Sequence, residues 1–474
     1  MGASALLLRL LCILFFCRSS SKLTSSPPRG WNSYDSFSWV VDEQAFLDNA
    51  AILAKNLHRY GYEYVVVDFL WYRKNVDGAS EDSYGYGCID PWDRPFPDPF
   101  RWPSSIGGKG FTEVARKVHG MGLMFGIHVM RGISKQAIDL GCSIVKLDCV
   151  FGDDLDSKEI ITVSELLRDL DRPVLLSISP GTNVTPSMAG SIGAYMDMYR
   201  ITADDWDKWT DVASHFDISR DFSSANLIGA KGLHGRSWPD LDMLPLGWLT
   251  DPGVRRGPHR KSNLTVDEQR TQEHKPQAVT LWSMAKSPLT FGGDLRNIDE
   301  ITLSLITNPT LLEINSFSTN NKEFPFVFAM EDLKSRNHAL NKRSMSQELV
   351  DGPENEEYEG MFQLLAMQNQ SACLEASVKN TLQQRKRRIT LSGCKWHDSQ
   401  MWRLNDSGTL VNSYSTLCAT TVSEAVSTTE GIRSWIGTGR KGEIYLSFFN
   451  LNSQATVISA KTSYIGKVFS VASS

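Results

Sequence analysis

Carboxylates recur in this chain at the ends of short apolar runs. Asp68 falls in YEYVVVDF, Asp148 in IVKLDCV, Asp204 just after YMDMYRI, and Asp240 and Asp242 in WPDLDML. Any one of them alone reads as a solvated loop carboxylate. Carboxylates ending four different runs, mostly beside aromatics, point instead to a shared site. Lys146 lies two positions before Asp148, on the same face of an extended strand. Arg200 lies four before Asp204. Retaining glycoside hydrolysis needs such a set: two carboxyl groups about 5–5.5 Å apart, one as nucleophile and one as acid/base. Aromatic faces receive the sugar ring, and further charged groups grip its hydroxyls. The reaction needs no cofactor or metal. The sequence offers no C-x-x-C pair and no histidine cluster with zinc spacing.

Something must bring these residues to one place. From about residue 26 to about 320, β-rich runs alternate with helical segments. The runs are Arg29–Ser33, Tyr62–Phe69, Leu123–Val129, Ile144–Val150, Pro173–Ser179, Tyr195–Ile201, Trp238–Leu244 and Ser287–Gly293. Several are nearly all apolar, as strands buried on both faces are. Amphipathic stretches such as Val41–Tyr60 and Phe111–Gly122 lie between them. No G-x-G-x-x-G follows the first run, so a dinucleotide-binding fold is disfavoured. The expected fold is α/β, a closed (β/α)8 TIM barrel, with the strand-end residues gathered at its C-terminal rim.

The length of 474 residues allows this barrel and a smaller domain. The net charge of −5 argues against a nucleic-acid partner held by bulk charge, and the 41% apolar and 22% charged content is that of a globular chain. An apolar run from Leu6 to Cys17, interrupted by Arg9 and followed by Ser19–Ser21, is too short to span a membrane. It reads as a signal peptide over residues 1–25, so a secreted, extracellular or vacuolar protein with no membrane partner is expected. Of the 8 cysteines, Cys373 and Cys394 are the best local pair for a disulfide, while Cys88, Cys142, Cys149 and Cys418 stay unassigned. N-x-S/T sequons stand at Asn183, Asn263, Asn369 and Asn405.

Seven ordered segments resemble glycoside hydrolase family twenty-seven, the melibiase or α-galactosidase family. They are GWNSYDSF (Gly30–Phe37), VVDFLW (Val66–Trp71), GIHVMRG (Gly126–Gly132), VKLDC (Val145–Cys149), YRITADDW (Tyr199–Trp206), WPDLDML (Trp238–Leu244) and LWSMAKSPLTFGGDL (Leu281–Leu295). By this resemblance Asp148 is the nucleophile and Asp204 the acid/base. The choice of Asp204 over adjacent Asp205 rests on the R-x-x-x-D spacing from Arg200. The resemblance also implies that Tyr34, Asp68, Lys146, Arg200, Asp242 and Met243 contact the sugar, with Asp240 in support. Three positions depart from the family pattern. Phe69 replaces a second carboxylate, His128 stands where Tyr is usual, and Ser179 falls where a specificity segment is usual. Both proposed catalytic carboxylates survive these changes, so chemistry should persist while sugar recognition shifts. β-L-Arabinopyranose is α-D-galactopyranose without the C5 hydroxymethyl group, and Phe69 suits the pentose. The expected activity is hydrolysis of terminal α-D-galactosyl or β-L-arabinopyranosyl residues, such as side chains of an arabinogalactan. The rival is a catalytically silent carbohydrate-binding protein on the same fold.

Beyond the barrel, Asn320–Gly360 is rich in Asn, Lys and Glu and includes the charged connection DGPENEEYEG (Asp351–Gly360). The QRKRR run at Gln384–Arg388 reads as a solvated turn. GEIYLSFFNL (Gly442–Leu451) alternates as a strand does, and Arg433–Leu451 resembles the antiparallel C-terminal domain of the family. A C-terminal β domain is therefore expected over 321–474. The Q-M-W at Gln400–Trp402 and CLEAS at Cys373–Ser377 resemble one and a half repeats of a ricin-type lectin, an insertion at about 361–425. A trefoil needs three repeats, so a degenerate structural remnant is the favoured reading. The insertion consumes much of the remaining length, so the C-terminal domain is expected to be cut short.

Overall fold

A computed structural model describes residues 23–83, 85–131, 142–181, 183–251, 253–259, 264–324 and 431–454, with separate segments between 340 and 419. The apolar leader, the sequons at Asn263 and Asn405, and the Asp351–Gly360 connection lie outside the described residues. The chain forms two compact units. One comprises Met1–Phe324 with Arg433–Leu451, and the other Pro325–Ile432 with Asn452–Ser474.

The first unit is built on eight parallel strands: β1 (Arg29–Asn32), β2 (Tyr64–Val67), β3 (Met124–Met130), β4 (Ile144–Phe151), β5 (Leu175–Pro180), β6 (Met198–Arg200), β8 (Arg236–Asp240) and β9 (Leu289–Phe291). The short β7 (Ala230–Lys231) adds antiparallel to β8. From β1 to β8 each parallel strand pairs with the next, and β1 pairs with both β2 and β9. A single bridge from Leu244 to Phe291 closes the ring, held by Leu244 N to Thr290 O at 2.7 Å and Gly292 N to Leu244 O at 3.2 Å. The expected (β/α)8 barrel is present.

The two-residue side-chain period sorts these strands into two rows. Val65, Val67, Phe125, Ile127, Val145, Leu147, Leu176, Ile178 and Tyr199 join the large core shared with the helices. The alternate residues Tyr64, Val66, Ile144, Leu175 and Met198, with Met124, form a separate cluster inside the ring. This cluster fills the barrel where its strands begin. Gly126 belongs to the same inner row, and a Cβ there would lie 2.1 Å from the Ile144 side chain, so only glycine fits. Continuing the inner row toward the strand ends gives Asp68, His128, Lys146, Asp148, Ser179 and Arg200. The alternation that builds the core thus also delivers the polar residues to one mouth.

Helices surround the ring. The stretch Val41–Tyr60 yields the helix Glu43–Asn56, whose N-cap Asp42 accepts from Ala45 N at 2.8 Å. The helix Ser157–Arg168 is capped by Asp156 in the same way, and Val266–Glu273 opens with a Thr265–Glu268 capping box. After the last barrel helix, β10 (Thr319–Glu323) pairs antiparallel with the strand Ile432–Thr438, which pairs with Ile444–Asn450. The Arg433 guanidinium fastens this small sheet to itself through Glu323 and to the helix Trp209–Ser224 through Asp217.

The second unit is antiparallel where it is described. Its longest pairing joins Asn369–Ser377 to Arg388–Gly393. Cys373 and Cys394 form the expected disulfide. Gln400 is fully buried and bonds to Ser392 Oγ at 2.7 Å and Gly393 O at 3.0 Å, and Trp402 Nε1 donates to Leu374 O at 3.0 Å. Both polar side chains of the Q-M-W segment thus serve internal bonds.

Candidate active site

Asp148 sits where β4 loses its regular register. Pairing with β5 stops after Leu147 and resumes at Phe151, and Cys149 adopts a left-handed φ of 58°. Such a bulge re-aims the side chain beside it. Cys149 N donates to Asp148 Oδ1 at 2.8 Å, and His128 Nε2 lies 2.9 Å from Asp148 Oδ2. Burial pushes the Asp148 carboxyl up. The His128 hydrogen bond, and the charges of His128, Lys146 and Arg200, outweigh it and hold the group well below the usual carboxylate range. Asp148 is therefore an ionised, partly desolvated carboxylate.

Asp68 stands beside it with less exposure. Asn32 Nδ2 donates to Asp68 Oδ2 at 2.6 Å, and Lys146 Nζ reaches the same oxygen at 3.3 Å. Burial opposes ionisation, yet Lys146, His128 and these hydrogen bonds lower Asp68 to about 2. Lys146 is raised in turn, its burial outweighed chiefly by Asp68.

Arg200 ends β6 and is buried. It donates to Asp242 Oδ2 at 2.9 Å and also to Asp204. The two adjacent aspartates separate completely. The Asp204 side chain is 79% exposed, whereas Asp205 is buried, with its carboxylate 3.0 Å from His215. Burial first, and Asp242 second, push Asp205 well above the carboxylate range, so of the two Asp205 is the one that holds a proton more readily. Asp242 itself is held low, burial being outweighed by Arg200 and Lys146.

Asp242 and Met243 lie just past β8 rather than in it as the sequence suggested. Asp242 takes a left-handed φ of 76°, and its N–H turns back to Asp240 Oδ1 at 3.0 Å. Trp282 Nε1 donates to Asp242 O at 3.0 Å, and Met243 is buried. A non-glycine residue stays in this conformation only when its surroundings over-determine it. Burial and Asp242 raise Asp240 to about 6.

The wall is aromatic. The half-buried Phe69 meets Tyr34 edge-on at 5.9 Å between ring centroids and His128 at 5.8 Å. Tyr34 also meets Trp206 at 5.4 Å. Ser179 is buried in β5, and its Oγ has no partner among the described residues. Sequence reasoning did not single out Asn32, Asp35, Trp71, Trp206 or His215. Trp71 Nε1 donates to His128 O at 2.7 Å and so fixes the strand that carries His128. Asp35 is wholly buried, and burial with Asp242 and Asp205 nearby drives it above the carboxylate range. Both Asn32 and Asp35 belong to the GWNSYD motif, which was the available signal. Among the described residues no group of His, Cys, Asp or Glu could hold a metal ion.

The family described as alpha galactosidase A, a melibiase family, matches residues 32–317. That span covers the barrel from the end of β1 onward and every residue just placed at its mouth. The chain belongs to glycoside hydrolase family twenty-seven. This glycoside hydrolase is 24% identical over 336 residues to an alpha-galactosidase of Schizosaccharomyces pombe, covering 63% of this chain and 68% of that one. It is 25% identical over 310 residues to an alpha-galactosidase of Coffea arabica, covering 61% and 70%. Among solved structures it resembles a family-twenty-seven β-L-arabinopyranosidase of Geobacillus stearothermophilus in complex with arabinose. The identity is 27%, with 76% of this chain and 85% of that one covered and a TM-score of 0.54. No helix among the described residues is long and apolar enough to cross a membrane.

Proposed function

We propose that this glycoside hydrolase is an exo-acting retaining enzyme that removes terminal β-L-arabinopyranosyl residues, with terminal α-D-galactosyl residues as its second substrate. The observation that carries the choice of sugar is Phe69, packed edge-on between Tyr34 and His128 directly after Asp68. An aromatic ring at this wall offers no hydrogen bond to a C5 hydroxymethyl group. A pentopyranose carries no such group, so it leaves no hydroxyl unpaired there. The likeness to an arabinopyranosidase supports the same choice.

In the first step Asp148 attacks the anomeric carbon and the bond to the leaving oxygen breaks, while Asp204 gives that oxygen its proton. In the second, Asp204 takes a proton from water as the water oxygen displaces Asp148. The ionised state of Asp148 supports its role as nucleophile. The exposure of Asp204, against the burial of Asp205, supports Asp204 as the group that meets solvent and leaving group. Protonation ends the ion pair of Asp204 with Arg200, and Asp242 keeps Arg200 compensated. In this reading Asp68, Lys146 and Asp242 bind hydroxyls of the sugar. The apolar leader and the Cys373–Cys394 disulfide support export to an oxidising compartment.

The test is a panel of p-nitrophenyl glycosides with the purified protein, followed by NMR of the first anomer released. The expected result is a higher kcat/KM for the β-L-arabinopyranoside and release with retained configuration. A large preference for the α-D-galactoside overturns the pentose reading, and an inverted product overturns the mechanism.

A further inference from the structure

The first unit holds a cavity of about 460 Å³ far from the mouth, where the strands begin. Lys286, which precedes β9, and Arg236, which opens β8, both line it, together with Trp238, Ser25, Ser318 and Asn321. We infer that this cavity is a second binding site, for a small organic anion of the sugar-acid class.

The charge at the site is unbalanced. Lys286 is 4% exposed, and its Nζ lies 5.3 Å from the centre of the Trp238 ring. Its one hydrogen-bond acceptor among the described residues is Ser318 O, at 2.7 Å. An ammonium has three N–H donors, so two are left for a ligand. The charged groups that face it are Arg236 and Arg29, which repel it, and Glu313, whose attraction is the weakest of the three. Arg29 is already committed to Asn315, Tyr60 O, Leu312 O and Ser316. Burial and the two arginines lower Lys286 to about 7. A buried cation without a counter-ion is costly, and an incoming carboxylate supplies one. Lys286 also holds a left-handed φ of 54°, a conformation that persists in non-glycine residues mainly under constraint.

The rest of the lining indicates more than a bare inorganic ion. The volume lies within the roughly 300–1,000 Å³ of small-ligand pockets. The exposed Ser25, Asn226, Thr319 and Asn320 bring hydroxyl and amide groups to the lining. A carboxylate on a polyhydroxylated ring meets all of these groups. The competing explanation is that Lys286 only caps the helix Pro309–Phe317 at its C-terminal end through Ser318.

Calorimetry and thermal melts of the intact protein with sodium glucuronate, inorganic phosphate or chloride at equal ionic strength decide between them. Glucuronate is expected to bind and to raise Tm, with affinity at least about tenfold weaker at about pH 9 than at about pH 6, as Lys286 loses its proton. Lys286→Met should abolish the response and leave glycoside hydrolysis unchanged, and Arg236→Gln should weaken binding. The inference is overturned if glucuronate does no more than chloride, if phosphate shifts Tm and glucuronate does not, or if Lys286→Met responds as the native chain does. Should Lys286→Met fail to fold, full affinity in Arg236→Gln overturns it instead. Binding is read directly, so failure here is separate from failure of the proposed hydrolysis.

Discussion

In the proposed mechanism Asp148 and Asp204 ask different things of their surroundings. Asp148 must stay ionised in a half-dry place, and His128, Lys146 and Arg200 hold it so. Asp148→Ala should lower kcat by about 10⁴-fold with an unchanged circular dichroism spectrum; retained turnover would remove Asp148 from the nucleophile role. His128→Asn tests the support. Asp148 has a depressed folded-state pKa, so removing a lowering partner raises it. The acidic limb of the kcat/KM profile should therefore move to higher pH, and a profile that stays in place would deny His128 this influence. Phe69→Asp restores a hydrogen-bonding carboxylate beside Asp68. It should shift the ratio of galactoside to arabinopyranoside kcat/KM by about tenfold or more toward the galactoside.

At the scale of elements, the barrel alternation does the positioning. Inner-row residues near the strand starts are apolar and fill the ring, and those near the ends are polar and form the site. This much was legible, because runs such as YVVV and IVKLDCV display both the burial and the point where charge begins. The partners of those charges were not. Asp205 and His215 meet only after the helix Trp209–Ser224 packs against the ring, and no local pattern announces a carboxyl kept protonated by its neighbour. Asp242 was read as part of the strand that it follows, because a left-handed residue after a strand leaves no mark when it is not glycine. Gly126 shows how tightly the rows are packed. Gly126→Ala should cost about 1–3 kcal/mol in urea unfolding, since the Ile144 side chain blocks the added methyl. A neutral result would mean that β3 and β4 can part at that point.

At the scale of the whole molecule, buried titratable groups set how stability depends on pH. Asp240 is raised to about 6, so its native state favours the protonated form. That contribution is complete below its unfolded value near 4 and is lost as pH rises through about 6. Lys286 is lowered to about 7, so its native state favours the neutral form, and stability rises from about pH 7 toward the unfolded value near 10.4. Asp68, lowered to about 2, contributes above pH 4 and is lost only in strong acid. Asp35 and Asp205 are raised in the same sense as Asp240, so Tm should fall as pH rises from about 4 through about 6. Asp240→Asn should lessen this fall while still accepting the Asp242 N–H, and an unchanged curve would rule Asp240 out as a contributor.

The second unit interrupts the first, and this matters while the chain is being made. The Phe324 N–H bonds to Ser434 O, and Ser434 Oγ to Phe324 O, 110 residues apart in the chain. A ribosome working at about 5–20 residues per second delivers β10 roughly 5–20 s before its partner strand. Through that interval the finished barrel carries an unpaired edge, open to the same edge on a neighbouring nascent chain. Production of this protein should therefore depend on translation speed and crowding on the ribosome in a way that the stability of the completed fold would not reveal.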